Sequence, residues 1–226
     1  MDRSDRKQRC AARLVAVLVA AGALVAGATP ARAVPLISEV FYDAVGSDDG
    51  LSFVELYGTP GTLLDGLVVE GVNGADGNVY ASLKLTGNIG FDGLFVVADK
   101  TSAGVTSVAG ADQLLNFDLQ NGPDSVVLRD SATSTVLDAI GYGDFQPGTF
   151  FAGEGTPSLA VAAGSSLARR FANIDTGDNA TDWIELTVPT PHAAAVPEPS
   201  SGALSMAGLA GLAAAGHRKR RARATR

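Results

Sequence analysis

Between residues 34 and 196 the sequence predicts an all-β protein, and three observations carry that reading. Short runs rich in Val, Leu, Ile, Phe and Tyr recur along the chain; turn pairs stand among them; and no internal window of ten residues shows a sustained helical stripe. Short strands with frequent turns and no helices build a sandwich or a barrel.

Taken in order, the strands are 36–42 (Leu-Ile-Ser-Glu-Val-Phe-Tyr), 53–57 (Phe-Val-Glu-Leu-Tyr), 62–70, 79–85 and 94–98. Then 125–129 pairs with 135–140, and 166–171 and 183–186 close the set. Asp49-Gly50, Asp65-Gly66, Asp76-Gly77, Asp92-Gly93 and Asn121-Gly122 are turn dipeptides, because Gly supplies positive φ and Asp or Asn caps its own backbone. The expected core is Phe41, Phe53, Leu56, Leu67, Val69, Phe95, Val97, Val127, Ile140, Leu167 and Trp183. Tyr142, Phe145, Phe150 and Phe151 flank a Gly/Pro loop from 141 to 155. They read first as a plug folded back on the body, with an exposed ligand edge as the alternative.

The two ends read as addresses. Arg3, Arg6, Lys7, Arg9 and Arg13 precede an uncharged apolar run from Leu14 to Gly27, and Ala31-Arg32-Ala33 is a small-x-small cleavage site before Val34. Those are the three parts of a secretory signal peptide, cleaved between Ala33 and Val34. About 14 apolar residues rise only ~21 Å, short of a ~30 Å bilayer core. At the other end, Gly202 to Gly216 is an uncharged Gly/Ala/Leu stretch of ~22 Å as a helix, followed by basic Arg218, Lys219, Arg220 and Arg221. Pro197 and Pro199 keep the chain extended ahead of it, and Ser200 and Ser201 are good N-caps. The basic end would stay cytoplasmic, so this short helix holds the inner membrane only transiently.

Val196-Pro197-Glu198-Pro199-Ser200, the short apolar helix and the Arg-rich end together resemble a PEP-CTERM sorting signal, with Pro197, Glu198 and Pro199 as its motif. The resemblance implies recognition by an exosortase of a Gram-negative bacterium. It also implies delivery to the cell surface or extracellular space, with signal peptidase acting at the other end.

The body left between these addresses is strongly acidic. From Val34 to Val196 there are five basic residues, Lys84, Lys100, Arg129, Arg169 and Arg170, against twenty-one acidic ones, which leaves about −16. Such a surface repels nucleic acid and anionic membrane. Cys10 lies in the signal segment, so the body has no disulfide and no thiolate site. Its one histidine, His192, sits in a Pro/Ala stretch that reads as linker. A Ser–His–Asp triad would need that residue; no Gly-x-Ser-x-Gly and no phosphate-binding Gly loop occurs. One His without Cys cannot fill a usual zinc set.

Glycoside hydrolysis needs two carboxylates. Glu39, Glu55, Glu70 and Glu185 lie on strands, but alternation points each away from apolar neighbours. They read as solvent-facing, or as partners of Arg129, Arg169 or Arg170. Calcium wants several oxygen ligands, and Asp175, Asp178 and Asp182, with Asn179, fall within one eight-residue loop; Asp43, Asp48 and Asp49 share another. Neither has the register of an EF-hand, and capping of turns explains both without metal.

The body also resembles a lamin-tail domain. The residues that carry this are Ile37-Ser38-Glu39-Val40, Phe53-Val54-Glu55-Leu56, Gly93-Leu94-Phe95-Val96-Val97-Ala98-Asp99 and Leu119-Gln120-Asn121-Gly122-Pro123-Asp124-Ser125-Val126. Asp138-Ala139-Ile140-Gly141-Tyr142-Gly143, Gly164-Ser165-Ser166-Leu167-Ala168-Arg169, the run from Asp175 to Trp183, and Pro189-Thr190-Pro191 continue the series. That resemblance implies an immunoglobulin-like β-sandwich that binds or tethers and brings no catalytic residues. The expected organisation is a signal peptide over 1–33, the sandwich over 34–191, a linker over 192–196 and the sorting segment over 197–226. The expected function is a non-catalytic surface or matrix module without a cofactor, partnered by an extracellular polysaccharide or surface protein. The competing expectation is a secreted calcium-dependent or carbohydrate-active enzyme.

Overall fold

The computed structural model describes residues 34–194. Ten strands and one helical turn follow in order: β1 (Leu36–Phe41), β2 (Phe53–Tyr57), β3 (Leu67–Asn73), β4 (Val79–Lys84), β5 (Leu94–Asp99), β6 (Gln113–Leu115), β7 (Asp124–Asp130), β8 (Val136–Tyr142), β9 (Ser166–Arg169), α1 (Asn179–Asp182) and β10 (Trp183–Leu186). They form a six-stranded sheet, β10-β9-β1-β2-β5-β6, and a four-stranded sheet, β4-β3-β7-β8. Every pairing is antiparallel except β5 with β6. The fold is an all-β sandwich.

Alternation along the strands builds the core. Ile37, Val40, Val54, Leu56, Phe95, Val97, Leu167 and Trp183 from the larger sheet meet Val69, Leu83, Val126, Leu128 and Ile140 from the smaller one. Of the predicted core, Leu67 is only half-buried at its rim. Phe41, Phe53 and Val127 are buried, but on the outer faces of their sheets.

Those outer faces are partly roofed, which is why the strands read as near-continuous apolar runs. Over the larger sheet, Val108, Ala111 and Leu114 lie on Phe41, Phe53, Val96 and Ala98. Over the smaller one, Ala152 lies on Val72, Val127 and Ala139. Here the 141–155 loop is a cover: a Cβ on Gly141 would overlap the Phe151 ring, Phe145 meets Phe151 edge-on at 5.0 Å, and Phe150 N–H donates to Gly74 O at 2.7 Å. The sequence missed β6, three residues too short for a periodic signal, and the single turn of α1.

Candidate functional site

Three polar assemblies stand out, and the first corrects the reading of Glu39 and Glu55. They do point away from the core, as alternation demands, but they are 1% and 0% exposed because that face is covered. The two residues are direct cross-strand partners on β1 and β2. Just before Glu39 the register slips, leaving Ser38 as an extra residue. Ser38 Oγ donates to Glu55 Oε1 at 2.8 Å, and Ser166 Oγ donates to Glu39 Oε1 at 2.6 Å. The remaining donors come from the segment after β10. Thr190 N–H and Oγ1–H reach Glu39 at 2.9 and 3.0 Å, and His192 N–H reaches Glu55 Oε2 at 2.6 Å. Burial pushes the Glu55 carboxyl up to about 7, against the pull of the Ser38 and His192 donors. His192, read as linker, is therefore tied to the sandwich. Its ring also contacts Asp92 and the Gly110 carbonyl.

The second assembly surrounds Arg169, whose side chain is fully buried. Its guanidinium donates to both Asp138 oxygens at 2.8 and 2.9 Å, to Asp182 at 3.2 Å and to Ile37 O at 3.0 Å, and lies 5.0 Å over the Trp183 ring. Asp138 also accepts from Ile37 N–H at 2.6 Å. Arg169 on β9 and Asp138 on β8 thus bolt the two sheets together through both backbone groups of Ile37. The partners of Arg169 are these aspartates and not the strand glutamates; Glu70 pairs with Arg129, and Glu185 is exposed.

The calcium candidates fall beside this bolt, each with a task in the turn. Asp178 is the N-cap of α1 and accepts from Ala180 and Thr156 N–H. Asp182 accepts from Thr176 N–H and Oγ1–H, both at 2.8 Å, besides Arg169. Asp175 accepts from Gly177 N–H and lies 3.5 Å from Arg169. Asp175, Asp138 and Glu154 bring carboxylate oxygens within 4.8 Å of one another. Burial, then the charges of Asp138 and Asp175, push Glu154 up to about 7. Asn179, fully buried, accepts from Gly141 and Glu154 N–H and donates to Ala139 O, standing in for a neighbouring strand at the open edge of β8. In the other acidic loop, Asp48, Asp49, Asp99 and Asp118 line a hollow of about 350 Å³. There Asp48 holds Ala44 N–H, and Asp99 holds Gly50 and Phe117 N–H.

The third assembly is a cleft of about 530 Å³ on the unroofed half of the smaller sheet. Lys84 on β4 and Arg129 on β7 are both register partners of Val68 on β3. The three form one rung on one face, and strand spacing puts the two cations' Cα atoms about 10 Å apart. Glu70 and Ser82 form the next rung. Glu70 and the Ser134 carbonyl fix the guanidinium of Arg129 at 2.9 and 2.8 Å. Lys84 makes no ion pair among the described residues. Thr86, Ser131 and Ser134 complete the wall. Sequence reasoning missed this cleft and the Glu39–Glu55 pair, since both depend on cross-strand register; the scarcity of cations in the body was the one available signal.

Residues 195–221 match the PEP-CTERM protein-sorting motif. The chain is thus an exosortase-sorted exported protein, destined for the cell surface or the extracellular space. No curated protein and no solved structure matches the chain. The motif takes in Pro197, Glu198, Pro199 and the first basic residues Arg218, Lys219, Arg220 and Arg221, all outside the described residues, as are Ala31 and Ala33 of the expected signal cleavage site. Val34, its other side, is exposed ahead of β1. Among the described residues no helix is long and apolar enough to cross a membrane.

Proposed function

We propose that the chain is an exported, non-catalytic binding module of lamin-tail, immunoglobulin-like type, and that the cleft over Lys84, Val68 and Arg129 is its ligand seat. The ligand is an extracellular polysaccharide that carries carboxylates. One observation supports this above the others: two of the five cations of a body at about −16 share a single rung of one open sheet face. Their Cα spacing of about 10 Å puts both side chains within reach of carboxylates on one extended sugar chain. Val68 between them offers an apolar floor for a ring face, and Ser82, Thr86 and Ser131 offer hydroxyls to a polyol. Within the cleft Asp65 and Glu70 balance the two cations, so the seat is near-neutral, while the remainder of the surface is acidic and turns an anionic chain away.

The carboxylate arrangements support a non-catalytic role. Glu39 and Glu55 converge but lie buried under the chain, saturated with donors. Asp138 is committed to Arg169. No cofactor enters this reading.

Titration calorimetry with a hexagalacturonate, and with maltohexaose as the neutral control, tests it. The acidic oligomer should bind, more weakly as salt rises, and the neutral one should not. Lys84→Ala should weaken binding at least fivefold without moving the melting temperature, since Lys84 is exposed. Equal binding of both oligomers, no binding of either, or an unaffected Lys84→Ala would overturn the assignment.

A further inference from the structure

The segment after β10 ends in a dock with an unusual demand on one ring. His192 Nδ1 lies 2.9 Å from Asp92 Oδ2, and Nε2 lies 2.7 Å from the Gly110 carbonyl and 3.3 Å from Asp112 Oδ2. A carboxylate and a carbonyl only accept hydrogen bonds. A neutral imidazole has one N–H to give; the imidazolium has two. Both contacts are made together only when the ring is protonated. The backbone of His192 is at φ +62°, a left-handed conformation costing about 1 kcal/mol or more in a residue with a Cβ, and it is held there by these bonds.

The same segment completes the buried carboxylate pair. Of the five donors to Glu39 and Glu55, three come from Thr190 and His192. Two carboxylates facing each other across strands repel, and a buried carboxylate short of donors is costly. The dock and the pair therefore stand or fall together.

We propose that residues 190–192 are a proton-operated latch: protonated His192 closes it over Glu39 and Glu55, and the neutral ring lets it go. It governs how much free chain separates the sandwich from the sorting motif. Closed, Pro197 stands five positions after His192, a reach of at most ~17 Å. Open, the chain is free from Leu186, eleven residues before Pro197, a reach of ~38 Å. A closed latch thus limits the tether between the folded body and the motif that the exosortase must engage, and an open one about doubles its maximum length. This last consequence rests on the sorting motif; the latch itself does not.

The groups facing the ring are Asp92 from the turn before β5, Asp112 from the loop before β6, and Glu55 from β2, with Glu39 of β1 beside Glu55. Bonds to Asp92 and Gly110, with the Asp112 charge, hold the His192 ring above its ordinary value against the opposing effect of burial, and burial holds Glu55 above its own. His192 binds its proton more tightly when latched, while its N–H and its ring charge act on Glu55 in the opposite sense to burial. Latching is favoured below about pH 6.5, the ordinary value of a free histidine, and is lost as pH rises through the raised value of the latched ring. Asp92, held low by the His192 hydrogen bond and Leu94 N–H despite slight burial, titrates outside this window.

Amide exchange and ¹⁵N relaxation of the labelled full chain in detergent micelles test the latch without reference to sorting. After correction for intrinsic exchange, Thr190 and His192 amides should exchange at least tenfold faster at pH 8.5 than at 5.5, and at pH 8.5 far faster than the core amides of Val40 and Val54, which report global opening. His192→Gln, whose single amide nitrogen cannot occupy both the Nδ1 and the Nε2 positions and does not titrate, should exchange fast at both pH values. Equal protection of the wild-type segment at both pH values overturns proton control, and no protection at either overturns the dock. Processing in the host is a separate measurement: His192→Gln should be sorted faster than wild type. Unchanged processing beside a confirmed latch would overturn only the access consequence.

Discussion

Replacing Arg169 by Met should be the most damaging single change in the sandwich, and the effect should be reduced by a second change. The Met side chain keeps much of the volume beside Trp183 but removes the cation that Asp138 and Asp182 share, with Asp175 3.5 Å away. Asp138 is fully buried and would be left with only its backbone donors, Ile37 and Ala139 N–H. Breaking a buried ion pair from one side costs about 3–5 kcal/mol. Losing the donations to the Ile37 and Ile174 carbonyls adds about 1 kcal/mol. A domain of ordinary stability has about 5–15 kcal/mol in all, so the variant should be barely folded at neutral pH. Adding Asp138→Asn removes the stranded charge and keeps an oxygen for Ile37 N–H. The double variant should recover about 2 kcal/mol over Arg169→Met alone, although Asp138→Asn by itself destabilises. Urea unfolding followed by Trp183 fluorescence measures this directly, since Trp183 is the only tryptophan and lies against the guanidinium. An Arg169→Met midpoint corresponding to less than 1 kcal/mol of loss, or a double variant weaker than Arg169→Met, would refute the reasoning.

Three further outcomes are expected. Stability should fall as pH rises from 5 to 8, because Glu55, Glu154 and His192 all bind protons more tightly folded than unfolded; Glu55, at about 7, contributes on the order of 3 kcal/mol, the half-exposed Glu154 less, and a melting temperature that climbs with pH would contradict this. Calcium at millimolar levels should leave the melting curve unmoved, because the Arg169 cation already serves Asp138 and Asp182; a calcium-dependent rise removed by Asp178→Ala would show a metal site instead. Asn179→Ala should cost about 3 kcal/mol in denaturant unfolding, since it orphans the Gly141, Glu154 and Ala139 backbone groups, and Asn179→Asp should not restore stability, because a carboxylate cannot donate to Ala139 O.

The strands were legible wherever period and turn agreed. Runs such as Phe53–Tyr57 and Leu94–Asp99 carry β-branched and aromatic residues between Gly turns, and both are strands. The limit came at Glu39 and Glu55. Local alternation correctly turned them from the core, but whether the far side of a sheet meets water depends on what the chain lays over it 135 or more residues later. His192 failed for the same reason: a Pro/Ala neighbourhood describes local stiffness, not a distant Asp92 or Gly110. The acidic loop was read nearer to the mark, since capping by Asp178 is a local act. Its role in receiving Arg169 was not legible, because the guanidinium arrives from another strand. The cleft depended on Lys84 and Arg129 meeting across Val68, a matter of register between three strands.

The β1 strand has a further consequence, for the order of events during folding. It is the first strand of the body, yet its satisfaction comes from the far end: Ile37 waits for Asp138 and Arg169, 101 and 132 positions on, and Glu39 for Thr190, 151 positions on. A hairpin of β1 and β2 can form early, but until those residues appear it must carry Glu39 without its donors and Glu55 with Ser38 alone. Contacts so distant along the chain slow folding, since loop closure must come before any reward. For an exported chain that delay has a use. The sandwich cannot close around a partial chain that lacks β9 and β10, so it stays extensible until Arg169 and Leu186, shortly ahead of the sorting motif, have been delivered. Completion of the fold and arrival of the address are then nearly the same moment.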